Sequence, residues 1–108
     1  MSVDLLASLT AKRQEALRDV LLFLGRHGRY PTGPELAEFT GLNHDTAWYR
    51  LRALSREGLL TRKGRIFVLT EKGLAVAQAL GSTLWKEDEE VQRALRLLEY
   101  GRAAEEER

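Results

Sequence analysis

The hydrophobic positions of residues 10–25 recur at helical spacing. Five apolar side chains fall on one face: Ala16, Leu17, Val20, Leu21 and Leu24. This pattern predicts an amphipathic helix that packs against the elements following it. Gly25 and Gly28 are expected to mark its end. Ahead of it, apolar residues within 2–9 indicate a short leading helix or arm.

Two shorter helices are predicted between Pro31 and Gly58. Thr32 and Glu35 stand three residues apart, which is the spacing of a capping box. Gly41 is expected to end the first helix, since glycine adopts the left-handed conformation readily. Asn43 then caps a second helix.

The second helix has a narrow apolar face. Ala47, Leu51 and Leu54 follow one another at i, i+4 and i+7. Only residues 41–43 separate the two helices, with Leu42 as the apolar residue of the turn. This spacing predicts a helix-turn-helix.

Beyond Gly58 the pattern changes from helical to extended. Residues 59–63 and 66–70 predict two strands, the second rich in β-branched and aromatic side chains. They form a hairpin around Lys63 and Gly64, and both a two-residue loop and a longer one fit the sequence. Thr70 is expected to cap a helix from Glu71 to Leu80. The predicted fold class is therefore mainly α with a small β-hairpin (α+β).

A last helix is predicted from about Thr83 to Tyr100, opening with acidic residues. It carries an apolar stripe: Leu84, Val91, Leu95 and Leu98. Two copies could bury this stripe against each other in a homodimer, and folding back on its own domain is the alternative. We therefore divide the chain into a helix-turn-helix domain, residues 1–81, and a C-terminal dimerisation helix, residues 82–108.

The net charge of +1 conceals an uneven distribution. Residues 47–72 hold seven basic and two acidic side chains, whereas residues 83–108 hold five basic and eight acidic ones. The basic cluster coincides with the second helix of the helix-turn-helix and with the hairpin. A basic face of this kind is typical of nucleic-acid binding.

Several classes of function are disfavoured by what the sequence lacks. There is no cysteine, hence no disulfide and no thiolate chemistry. His27 and His44 are the only histidines and are not in a metal-ligand spacing, and no nucleophile motif or glycine-rich phosphate loop occurs. We expect neither an enzyme nor a bound cofactor or metal. Apolar runs are short, so neither a membrane span nor a signal peptide is predicted, and a cytoplasmic location is expected.

The stretch NHDTAWYRLRALSREGLLTRKGRIFVLTEKG resembles the winged helix-turn-helix transcription regulators, including the MarR-like and PadR-like groups. Three pieces carry the resemblance: Leu51-x-x-Leu54, Glu57-Gly58-Leu59-Leu60 and Leu69-Thr70-Glu71-Lys72-Gly73. It covers roughly residues 15–80. The resemblance implies a winged helix and a homodimer that binds pseudo-palindromic double-stranded DNA. The hairpin is much shorter than in MarR-like proteins.

Ten residues are the predicted DNA contacts: His44, Asp45, Thr46, Tyr49, Arg50, Arg52, Arg56, Arg62, Lys63 and Arg65. Helix 44–57 would lie in the major groove and hairpin 60–69 along the backbone. For Arg52, a guanine contact and a phosphate contact fit equally. His44 is near the groove floor in such a docking, although simple solvent exposure also fits.

The aromatic pair in this helix is expected to divide its roles. Trp48 is predicted to pack in the core or to support the hairpin, and Tyr49 to contact DNA. If both were exposed, they would form an apolar patch better suited to a protein partner. The expected function is transcriptional regulation by sequence-specific DNA binding. The alternative is a protein-interaction module in a transcription, replication or chromosome-organisation assembly.

Overall fold

Five α-helices and one two-stranded antiparallel sheet form the part of the chain that the computed structural model describes, residues 9–99. Their bounds are α1 Ala11–His27, α2 Gly33–Thr40, α3 His44–Arg56, β1 Leu60–Lys63, β2 Ile66–Leu69, α4 Glu71–Gly81 and α5 Glu89–Glu99. The protein is thus mainly helical with a small sheet, as predicted. The arm expected at residues 2–9 falls almost wholly outside this range, and only Leu9 is described, as a buried residue.

Helix α1 begins where the side chain of Thr10 accepts a hydrogen bond from the backbone N–H of Arg13. It ends at Gly28, which adopts a left-handed conformation with φ of 75°. Gly25 does not end the helix, contrary to expectation, and lies within it. A β-carbon at Gly25 would meet the backbone of Glu90 in α5. Its role is to permit close helix packing.

The predicted caps of α2 and α3 are confirmed. Thr32 and Glu35 form the reciprocal hydrogen bonds of a capping box. Gly41 ends α2 with φ of 80°, and the Asn43 side chain accepts a hydrogen bond from the Thr46 N–H at 2.8 Å. The three-residue turn thus follows directly from local sequence.

The hairpin has a two-residue turn. Lys63 pairs with Ile66, so that only Gly64 and Arg65 lie between the strands. Gly64 has φ of 65°, which a residue with a β-carbon adopts at a cost. Thr32 also forms an isolated antiparallel bridge with Ile66. This bridge ties the start of α2 to the hairpin.

The last helix is shorter than predicted. It begins at Glu89 and not near Thr83, because residues 82–87 form turns. Two interactions account for this: Trp85 is only 8% exposed and docks into the core, and Asp88 accepts hydrogen bonds from the N–H groups of Glu90 and Val91. The carboxylate therefore caps α5 where the sequence suggested continuous helix.

The apolar stripe of α5 packs within the chain. The helix lies mainly along α1, with Val91 and Leu98 buried in the same core as Leu17 and Leu21. Leu95 is partly buried and lies against Gly81. The structure thus shows the folded-back arrangement that the sequence left as the alternative. Val91 and Leu98 are buried within the chain and Leu95 is partly covered, so the stripe does not form the exposed face that the predicted dimer contact requires.

Leu84 departs from the predicted stripe in a different way. It lies in the turns before α5 and is 67% exposed.

A single hydrophobic core includes residues on both sides of the domain boundary that was expected at residue 81. Within residues 9–99, no helix has both the length and the apolar character required to cross a membrane.

Candidate nucleic-acid interface

Helix α3 presents one polar face to solvent. Four side chains that the helical pattern placed on it are exposed: Asp45, Tyr49, Arg52 and Arg56. Ala47, Leu51 and Leu54 are buried on the opposite face, as predicted, and Ala53 is buried beside them. His44 is exposed in the first turn of α3. The amphipathic pattern alone was sufficient to orient this helix.

A cleft lies between α3 and the hairpin. Its volume is about 440 Å³ and its lining residues are Trp48, Arg52, Ser55, Arg56, Arg62 and Phe67. We call it the arginine cleft. Its aromatic wall consists of Trp48 and Phe67, whose rings meet edge to face with centroids 5.5 Å apart. Trp48 is half-buried and supports the hairpin while also contacting the core, so both structural roles considered for it are combined.

The guanidinium of Arg62 lies on this aromatic wall. Its central carbon is 5.0 Å from the centroid of the Trp48 ring and 5.9 Å from that of Phe67. Its Nε donates a hydrogen bond to the Gly64 carbonyl oxygen at 2.9 Å. Arg62 is therefore held across the hairpin by contacts with the aromatic wall and with the turn.

A second cation–aromatic contact lies on the exposed face of α3. The guanidinium of Arg56 is 6.0 Å from the centroid of the Tyr49 ring. Tyr49 is nevertheless 59% exposed. The apolar patch considered for Trp48 and Tyr49 is thus reduced, because Trp48 is covered by Arg62 and Tyr49 is flanked by a charge.

The positive charges of the arginine cleft are not neutralised within the described chain. Arg52, Arg56 and Arg62 form no ion pair with any carboxylate of residues 9–99. The cleft therefore concentrates three positive charges beside the exposed face of α3. Such a site favours an anionic partner.

The opposite flank of α3 has a different electrostatic character. Arg50 lies 3.9 Å from a Glu15 oxygen and 4.0 Å from an Asp19 oxygen, and its side chain is only 20% exposed. Burial and the charge of Glu15 raise the pKa of Asp19, while Arg50 and Arg18 counteract this effect. On this flank Arg50, one of the predicted DNA contacts, already faces two carboxylates of α1.

Further contacts hold the junction between α3 and the hairpin. The Nζ of Lys72 donates a hydrogen bond to the Glu57 carbonyl oxygen at 2.9 Å. The hydroxyl of Thr70 donates one to the Gly58 carbonyl oxygen at 2.6 Å. Gly73 packs against the backbone of Leu59, where a β-carbon would collide. Helix α4 thus fixes the point at which the chain leaves α3.

The structure separates the ten predicted contacts into four groups. Arg52, Arg56 and Arg62 meet at the arginine cleft. Lys63 and Arg65 are exposed at the hairpin end, while His44, Asp45 and Tyr49 lie on the exposed face of α3. Thr46 and Arg50 face α1, where they line a second cleft that Tyr49 borders as well. Phe67 and Ser55 are cleft residues that the sequence did not indicate; the strand pattern showed Phe67 only as a hydrophobic position.

Within residues 9–99, no group of three or more His, Cys, Asp or Glu side chains is arranged to hold a metal ion. Comparison of the chain with protein-family models, with curated proteins and with solved structures gives no match. The function is therefore inferred from the geometry and charge of the site.

Proposed function

We propose that the protein is a winged helix-turn-helix DNA-binding protein that regulates transcription by occupying its operator. The observation that carries this proposal is the cluster of three arginines without ion-pair partners in residues 9–99, next to the exposed polar face of α3. An anionic polymer with a groove wide enough for a helix is the partner that this combination suits.

The arrangement of elements supports the winged-helix part of the proposal. Helices α2 and α3 are joined by a three-residue turn, and the hairpin follows α3 directly. The bridge between Thr32 and Ile66 adds a second, short pairing to the hairpin, next to α2. In this proposal α3 is the recognition helix and the hairpin is the wing.

Helix α3 would read the major groove through its exposed face. Arg52 is central to this face, and its planar fork matches the O6 and N7 acceptors of guanine, a contact that discriminates by about 1–3 kcal/mol. His44 and Asp45 lie in the first turn, which most helix-turn-helix proteins direct towards the bases. Tyr49 would contact a phosphate or a thymine methyl group.

The hairpin would contact the sugar-phosphate backbone. Arg62, Lys63 and Arg65 supply positive charge without reading sequence. Each phosphate neutralised makes the dependence of log K on log salt steeper by about 0.9. The hairpin therefore contributes mainly affinity, and α3 mainly specificity.

A homodimer is part of the proposal, since two copies would present two recognition helices to two half-sites. Its interface must differ from the α5 stripe, which is buried within the chain. Leu84, exposed in the turns before α5, is the member of the predicted stripe that remains accessible.

Fluorescence anisotropy with a mixed-sequence DNA duplex, titrated with salt, tests DNA binding. We expect log K to fall linearly with log salt, with a slope that corresponds to several phosphates. The double variant Arg52→Ala, Arg62→Ala should abolish binding. Its matched control is Lys86→Ala, Arg96→Ala, which removes two exposed charges outside α3 and the hairpin. Equal losses in both variants, or unchanged binding in the first, would contradict the proposal.

The second candidate is a winged helix used for protein–protein contact. The exposure of two large hydrophobic side chains, Tyr49 and Leu84, favours it. Absence of DNA binding at low salt would support this candidate. A pull-down with wild-type protein and with the double variant Tyr49→Ala, Leu84→Ala would then show whether these side chains are needed for a partner.

A further inference from the structure

We infer that Arg62 is a positioning residue, which holds the hairpin against α3 and so sets the width of the arginine cleft. This inference rests on the proposed DNA binding and deepens it. It assigns to Arg62 a role that its charge alone does not provide. It also assigns to Trp48 the role of the surface on which Arg62 is held.

The contacts of Arg62 reach three separate parts of the structure. Arg62 belongs to β1, while its guanidinium faces Trp48 of α3 and Phe67 of β2. Its Nε–H donates a hydrogen bond to the carbonyl oxygen of Gly64 in the turn. One side chain therefore connects the recognition helix, the second strand and the turn.

The chemistry of this contact requires arginine. A planar guanidinium can lie on an aromatic face while its Nε–H donates in the plane. Lysine has a methylene group where arginine has this Nε–H, so it cannot donate the same hydrogen bond while its ammonium group lies on the ring. Lysine would preserve the positive charge but would lose the directed hydrogen bond to Gly64. The substitution Arg62→Lys therefore separates the positioning role from the charge.

The cleft depends on this contact because Arg62 crosses it. The other cleft cations, Arg52 and Arg56, lie on α3, whereas Arg62 approaches from the hairpin. The position of the hairpin relative to α3 thus fixes the separation between the two sets of charges. A backbone phosphate would bind between these two sets of charges. If Arg62 fixes their separation before binding, less entropy is lost in ordering the site when the phosphate binds.

NMR spectroscopy of the full chain without DNA tests the contact itself. The side-chain protons of Arg62 should be shifted upfield by the Trp48 ring, relative to those of the α5 residue Arg96. The shift should decrease in Trp48→Leu, where only the more distant Phe67 ring remains near Arg62. Arg62 protons that resonate with those of Arg96 in the wild type would show that the contact does not form, and would overturn the inference.

Salt-titrated anisotropy tests the consequence for DNA binding. We expect Arg62→Lys to weaken binding by about 2- to 10-fold, the range that corresponds to the net loss of one hydrogen bond. The slope in log salt should stay unchanged, because the number of charges is the same. The matched control is Arg96→Lys on α5, for which we expect wild-type affinity. Wild-type affinity of Arg62→Lys would show that Arg62 acts only as a charge.

A double-mutant cycle connects the two measurements. If Arg62 acts through Trp48, the losses in Arg62→Lys and Trp48→Leu should not add in the double variant. Additive losses would overturn the inference. Failure of the proposed function is distinguishable, because the wild type would then not bind DNA although the NMR shift of Arg62 persists. That outcome would also remove the positioning role in DNA binding.

Discussion

Gly25 of α1 and Glu90 of α5 lie backbone against backbone. A β-carbon at position 25 would collide with the carbonyl group of Glu90. Arg26, the next residue, pairs its guanidinium with the Glu90 carboxylate at 3.0 Å. Two successive residues of α1 thus fix the start of α5, one by lacking a side chain and the other by its charge.

The close approach predicts that Gly25→Ala destabilises the fold. The added methyl group must displace the backbone of α5, and overpacking of this kind costs about 1–3 kcal/mol. In a solvent-facing helix the same substitution stabilises by about 1 kcal/mol, because alanine is the better helix former. Urea denaturation would measure the change. A stabilised Gly25→Ala variant would show that α1 and α5 do not approach this closely.

Truncation of an apolar side chain in the α5 stripe should lower the free energy of unfolding and leave the oligomeric state unchanged. Leu98 is buried against α1, so Leu98→Ala should lower the free energy of unfolding by about 2–5 kcal/mol. Arg96→Ala is the matched control at an exposed position of the same helix, where we expect about 0.5 kcal/mol or less. Urea denaturation together with light scattering separates the two effects. A Leu98→Ala variant of unchanged stability but altered oligomeric state would restore the stripe to a dimer interface.

Acid should weaken the fold through Glu35. Hydrogen bonds from the Arg29 guanidinium, and then from the Thr32 backbone N–H, lower the pKa of Glu35 from 4.5 to about 2. Because the folded state has the lower pKa, the stabilisation is complete above 4.5 and is lost as pH falls towards 2. Since a third of this side chain is exposed, we expect about 1 kcal/mol.

The substitution Glu35→Gln isolates this charge, because glutamine can still complete the capping box. Its free energy of unfolding should depend less on pH in the acid range than that of the wild type. Glu38→Gln, in the same helix, serves as the control. Denaturation curves recorded at several pH values would decide, and a wild-type pH dependence in Glu35→Gln would contradict the assignment.

The two flanks of α3 should respond differently to loss of an arginine. Arg52 has no ion-pair partner among residues 9–99, whereas Arg50 faces Glu15 and Asp19. We therefore expect Arg52→Ala to weaken the proposed DNA binding more than Arg50→Ala, by about 1–3 kcal/mol if Arg52 contacts guanine. Anisotropy at one fixed salt concentration measures both. An equal loss in Arg50→Ala would mean that Arg50 leaves its carboxylates to contact DNA.

The sequence by itself determined the elements whose signals are local. Caps, turns and helical periodicity involve residues three or four apart, so Thr32, Asn43 and Thr70 marked three helix starts correctly. The amphipathic pattern of α3 likewise oriented its exposed face. The beginning of α5 was missed because Trp85 packs into a core formed by residues distant in sequence, and the chain around it forms turns instead of helix.

Only the tertiary structure decided how the charges and apolar stripes are used. The sequence predicted Arg50, Arg52 and Arg62 all as DNA contacts and did not show what each would meet within the chain. Packing placed the first beside two carboxylates of α1, left the second in solvent and laid the third on Trp48. The α5 stripe was likewise compatible with a partner or with α1, since a periodic apolar face specifies burial without specifying against which surface. Such contacts join residues far apart in the chain, and local periodicity carries no information about them.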